Sequence, residues 1–130
     1  MKQIVFYLGL AMLFTHELDA MPNHEWRILP LLGATPDDIG FQIFLLAHVP
    51  IFAVVIALVA SLNARIRIRT RIVVSAFLLA HGLLHAAFGA HPLYEFSSLS
   101  SEILIYGSAI LGFVYVAMEG RERYWRKAQL

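Results

Sequence analysis

The stretch 39–62, IGFQIFLLAHVPIFAVVIALVASL, contains no Asp, Glu, Lys or Arg, and its reading decides the fold. About 20 apolar residues in a helix cross the roughly 30 Å hydrocarbon core of a bilayer. The four residues Thr35-Pro36-Asp37-Asp38 just ahead read as a helix start. They supply a capping hydroxyl, a proline for the first helical position, and two carboxylates at the positive end of the dipole. Pro50 predicts a kink.

Working outward, apolar blocks at 4–18, at 72–88 and from about 98–101 to 118 repeat the pattern. The expected fold is all-α: a single domain, 1–130, forming an integral membrane four-helix bundle with spans of about 3–21, 37–63, 71–89 and 99–119. A cleavable signal peptide is the competing reading of the first block. Against it, Lys2 is the only basic residue ahead of the block, and Leu18-Asp19-Ala20 is a poor cleavage site. Between the first two spans, residues 23–32 are too short and polar to cross. They predict a short interfacial helix anchored by Trp26. Composition agrees, with 59% hydrophobic and 15% charged residues, against about 45–50% and 25% in soluble domains.

Orientation follows from the basic residues. Nine of the ten Lys and Arg lie at the N-terminus, in the turn Arg65-Ile66-Arg67-Ile68-Arg69-Thr70-Arg71, or in the tail after 120. Only Arg27 lies on the other side, so both termini are expected to be cytoplasmic. The four arginines of the turn also suit anionic headgroups. Nothing in this pattern points to nucleic acid, and the lipid bilayer is the expected partner. Association into a homo-oligomer stays open.

There is no cysteine, which excludes disulfides, thiolate metal sites, cysteine nucleophiles and cysteine-linked haem. Six histidines in so apolar a chain are the unusual feature. Counted from the cytoplasmic end of each span, His16 and His85 lie roughly 21 Å deep and His48 roughly 22 Å. Three histidines on three helices therefore share one level, in the outer half of the bilayer. Asp19 and Glu102 sit one turn higher and His81 one turn lower. An ionisable side chain within a span costs about 2.5–3.5 kcal/mol, and a bound cation offsets that cost. His81 and His85, at i and i+4, share a helix face, as do His16 and Asp19 at i and i+3. Imidazole with carboxylate suits zinc, iron or manganese better than copper(I). The bland alternative is a polar packing network; His48 in particular could simply bond a carbonyl freed by Pro50. His91 belongs to the outer loop, and Tyr106, at the histidine level on the fourth span, could donate a hydrogen bond to the site, although ordinary helix packing is the favoured reading.

The motifs His16-Glu17-Leu18-Asp19-Ala20 and His24-Glu25-Trp26-Arg27 resemble a family of small bacterial four-span membrane proteins of unknown function with a HELDA…HEWR pair. The first is also loosely similar to the HXXEE family, although Asp19 and Ala20 stand where that family has glutamates. The resemblance implies a place in the bacterial inner membrane. It also implies that His16, Glu17, Asp19, His24 and Glu25 are functional candidates. A bend at Pro22 could fold the short outer helix back and bring His24 over the deep cluster.

The expected function is a membrane metalloprotein whose ligands come from His16, Asp19, His24, His48, His81 and His85. Zinc is favoured, with iron next. A zinc-bound water would serve a hydrolase-type enzyme acting on a lipid or other amphiphile, with Glu17 or Glu102 as general base. Iron on the same ligands would suit oxygen chemistry. The alternatives are a b-type haem held between two histidines in an electron-transfer protein, and a metal or ion carrier. Nearby carboxylates disfavour the haem, and the apolar inner halves of the spans disfavour the carrier.

Overall fold

The computed structural model describes residues 1–129, with the side chains of Arg123, Arg126, Lys127 and Ala128 left outside the description. The tail residues Arg123, Arg126 and Lys127, which contribute to the expected orientation, are thus among those whose side chains are not described. Four α-helices make up the described chain: α1 (Lys2–Ala20), α2 (Asp37–Val59), α3 (Ala64–Phe88) and α4 (Leu99–Ala128). A single 3-10 turn, Glu25–Arg27, lies between α1 and α2.

The helix ends follow local chemistry. Asn63 caps α3, its side chain accepting from the amides of Arg65 at 3.0 Å and Ile66 at 3.3 Å. The arginines expected to form a turn therefore form the first two turns of α3, and the reversal is confined to 60–63. Arginine is a good helix former, so once Asn63 supplies a cap nothing in 65–71 resists helix. Ser98 caps α4 by accepting from the Ser101 amide at 3.0 Å.

The start of α2 departs from expectation. Pro36 occupies the capping position with no side-chain bond, and the Thr35 hydroxyl turns back to the Leu32 carbonyl at 2.6 Å. Asp37 is engaged elsewhere, by Arg27 at 2.7 and 2.9 Å and by the Trp26 indole at 3.0 Å. A tertiary partner has displaced the local cap. At Pro50 the helix is continuous in hydrogen-bonded secondary structure.

α1 buries Phe6, Gly9, Leu10, Leu13, His16 and Ala20, a stripe at helical spacing that includes one histidine. It packs mainly on α4, and α4 in turn packs on α3. α2 is the least embedded helix: only 11% of its apolar stretch is buried. Exposed Ile43, Leu46, Val49, Ile51, Val54 and Ile56 cover its outer face. An uninterrupted apolar face of that length suits lipid and not water. By length and composition, α2, α3 and α4 as far as Glu122 can each cross a membrane. α1 falls short because His16, Glu17 and Asp19 interrupt its last turns.

Two apolar clusters flank the bundle, one around Phe6, Leu10, Val59, Val74 and Tyr115, the other around Ala20, Trp26, Phe44, Phe96 and Ile105. The α3–α4 contact is close because Gly82 has no side chain: a Cβ there would stand 2.6 Å from that of Ala109. Close approach through small residues is the usual means of packing helices in lipid. Gly82→Ala should therefore lower the thermal midpoint in detergent, by an overpacking cost of about 1–3 kcal/mol. Gly120→Ala, with nothing within 4 Å, should be neutral or stabilising by up to about 1 kcal/mol. Equal midpoints for the two variants would contradict this picture of the interface.

Candidate metal centre

Three elements deliver the polar groups to one point. α1 places His16, which is fully buried, and α3 places His81 and His85 on one face, 8% and 3% exposed. The fourth group comes from the short segment after α1. Pro22 follows the helix end, and His24 adopts the left-handed region at φ 49°, reversing the chain so that Glu25 points inward, 7% exposed. Arg27 and Trp26 then hold the segment to Asp37 of α2, while His24 Nδ1 and Glu95 Oε2 meet at 2.9 Å. The segment is a strap, and Glu25 is what it carries.

One ligand atom from each of His16, Glu25, His81 and His85 lies within 4.8 Å of the others. The Nε2 atoms of His81 and His85 are 3.2 Å apart. His16 Nε2 is 3.4 Å from Glu25 Oε2, and Glu25 Oε1 is 3.6 Å from His85 Nε2 and 3.8 Å from His81 Nε2. Zinc bonds of about 2.0–2.1 Å put neighbouring donors of a tetrahedron roughly 3.3 Å apart. These four separations bracket that value.

Hydrogen bonding points the same way. Both nitrogens of His16, Oε2 of Glu25 and Nδ1 of His81 are buried with no hydrogen-bond partner. Buried polar atoms of this kind are uncommon and call for a physical reason. Burial alone would raise the Glu25 carboxyl. The imidazoles of His16, His81 and His85 outweigh it and hold the group well below the usual carboxylate range. An anionic carboxylate facing three imidazoles can neutralise part of a divalent charge. Tyr94, from the loop before α4, stands 3.1 Å from His85 Nδ1. Burial pushes its phenol up to about 12, so it stays a neutral partner. With His85 Nδ1–H donating to Tyr94, the lone pair of Nε2 is free for a cation.

The remaining expected ligands lie elsewhere. His48 pairs with Glu17, Nε2 to Oε2 at 2.9 Å, and its Nδ1 donates to the Phe44 carbonyl at 2.7 Å. That carbonyl belongs to its own helical turn and is not the one freed by Pro50, which is Leu46's. His24 pairs with Glu95 at the surface. Asp19 has one buried oxygen without a partner but is outside the convergent group. Glu102 is exposed on the first turn of α4. His91 accepts from the Leu93 amide in the loop. Tyr94, not the half-exposed Tyr106, meets the histidines. Depth counting missed Glu25 and Tyr94 because both lie in loops. The only sequence signal for Glu25 is its place in the second motif.

A helical protein with candidate membrane spans and a buried three-histidine, one-glutamate group that could hold a metal is the class these features define. The chain belongs to DUF6713, a family of unknown function, whose family model matches residues 2–122. That range takes in both motifs and all four convergent residues. No curated protein and no solved structure matches the chain.

Proposed function

We propose that His16, Glu25, His81 and His85 bind one divalent transition metal, zinc first and iron next, in a membrane enzyme of hydrolase type acting on a lipid or other amphiphile. The convergence of four buried residues, with both His16 nitrogens and one Glu25 oxygen lacking a hydrogen-bond partner, carries the reading. Three neutral imidazoles and one carboxylate leave a divalent ion with net positive charge, which favours deprotonation of a bound water. A cavity of about 60 Å³ adjoins the donors, walled by Glu25, His81, His85, Ile28 and Leu29. At about 30 Å³ per water it has room for about two. Of the two carboxylates expected to act as base, Glu17 lies close enough for charge interaction with Glu25, His16 and His81. Glu102 is exposed on the first turn of α4 and is not in the convergent group.

The haem alternative fits less well. A porphyrin needs an apolar slot between two imidazoles on its opposite faces. Here His16 contacts both His81 and His85 edge to face, with ring centroids 4.9 Å apart, and a carboxylate shares the corner.

In the proposed arrangement α1 is a fourth span of a bacterial plasma-membrane protein, with both termini cytoplasmic. The metal then lies in the outer half of the bilayer, since His16 and His85 sit near the helix ends opposite the arginines. Reporter fusions after Arg69 and at the C-terminus should read as cytoplasmic, and one at Thr35 as external. A cytoplasmic reading at Thr35 would reverse the orientation.

Purified protein should carry about one transition-metal ion per chain and no Soret band. Alanine at His16, His81 or His85, or Gln at Glu25, should each remove most of the metal and lower the thermal midpoint. Double variants should lose little more, because the site is already broken. His48→Ala and His91→Ala should keep their metal. Mass spectrometry for metals on the purified variants checks this, and full occupancy in His85→Ala would remove the proposal.

A further inference from the structure

A second polar pair lies outside the metal group. α1, α2 and α3 diverge around a cavity of about 340 Å³, with Glu17 and His48 at one end and apolar walls including Phe14, Phe52, Val55, Val73 and Phe77. The three helices agree on direction. Descending from His48 on α2, from Glu17 on α1 and from His81 on α3, the lining residues run toward the arginine end. Along α2, from His48 to Val55, the cavity extends about 10 Å. Ile51, Val73 and Phe77 are 53%, 66% and 48% exposed, so the mouth opens sideways where α2 and α3 meet lipid.

The polar end is built and not incidental. The Glu17 and His48 side chains are 13% and 17% exposed. The Phe44 carbonyl can only accept, so His48 Nδ1 carries a proton. His48 Nε2 and Glu17 Oε2 then meet at 2.9 Å. Glu17 Oε1 makes no hydrogen bond among the described residues. That oxygen is free to hydrogen-bond a ligand in the cavity. No Lys or Arg lines the cavity, and Glu25 acts electrostatically on Glu17. A phosphate head would meet carboxylates with no Lys or Arg to neutralise it.

We propose that this cavity binds one acyl chain of a single-chain lipid with an uncharged, hydrogen-bonding head of the monoacylglycerol or fatty amide class. The chain lies along the apolar walls, and the head meets Glu17 and His48. At about 340 Å³ the space is near the lower end of the roughly 300–1,000 Å³ usual for ligand pockets, which suits one chain and excludes two. Glu17 follows His16 in sequence, and Phe77 stacks on His81 with centroids 5.6 Å apart, so the head end adjoins the metal group. The inference deepens the metal-enzyme reading and rests on it for the chemistry, but not for the binding.

The test uses the whole protein in nanodiscs and a monoacylglycerol carrying a mid-chain diazirine, with cross-links mapped by mass spectrometry. Labelling should concentrate on peptides around Val55 and Val73 and be displaced by unlabelled monooleoylglycerol, but not by dioleoylphosphatidylglycerol. Val55→Trp fills the cavity away from the polar pair and should cut labelling by on the order of tenfold while metal content stays unchanged. Ile51→Trp serves as a second blocking variant should the first fail to fold. Labelling spread evenly over the exposed face of α2, or undiminished by unlabelled monooleoylglycerol, overturns the proposal even if metal is bound. Displaceable labelling in protein that binds no metal upholds the cavity and removes the metal-enzyme reading instead.

Discussion

Three imidazoles and a carboxylate brought together away from water must satisfy one another or share something else. Here they satisfy one another only in part. His16 has no hydrogen bond from either ring nitrogen, and His81 and His85 point the same atom at each other across 3.2 Å. Two imidazole lone pairs cannot face each other at that distance without a proton or a cation between them. Leaving such groups unpaired in an apolar interior costs about 1–3 kcal/mol each on mutational scales. Much of the surrounding structure is arranged around that corner.

The arrangement has a tight side and a loose side. α3 and α4 come close through Gly82 and Ala109, which fixes the face carrying His81 and His85. The strap adds Glu25 from outside the bundle, held by Asp37 on one flank and Glu95 on the other. α2 is held at its start by the strap, at its end by Val59 in the apolar cluster, and between them by the Glu17–His48 pair and the Phe14–Phe52 contact, with ring centroids 4.3 Å apart. That loose attachment leaves the cavity between α1, α2 and α3. A polar corner beside a laterally open apolar cavity is consistent with the proposed action on a membrane amphiphile.

The parts legible in the sequence are those governed by one dimension. Residues 39–62 announce a lipid-facing helix because exposure on nearly every side demands unbroken apolarity. His81 and His85 share a face because i and i+4 spacing fixes both depth and direction. Depth alone does not: His48 lies level with His16, yet it turns toward Glu17, since its azimuth around α2 depends on how α2 packs. Residues 65–71 look like a turn by charge, whereas the Asn63 cap makes them helix. Glu25 and Tyr94 enter from loops, where neither period nor depth applies. Only the fold-back after Pro22 and His24 brings Glu25 to the histidines, and the residue it delivers is the glutamate of the second motif, not the histidine.

X-ray absorption at the metal edge of the purified protein tests the convergence of these four residues most directly. A shell of nitrogen and oxygen at about 2.0–2.1 Å, without sulfur, is the zinc result. Outer-shell scattering should fit three imidazoles, and should fall to two in His81→Ala protein reloaded with zinc. A spectrum with one imidazole or none, or one unchanged by the substitution, would place the metal elsewhere and contradict the proposed centre.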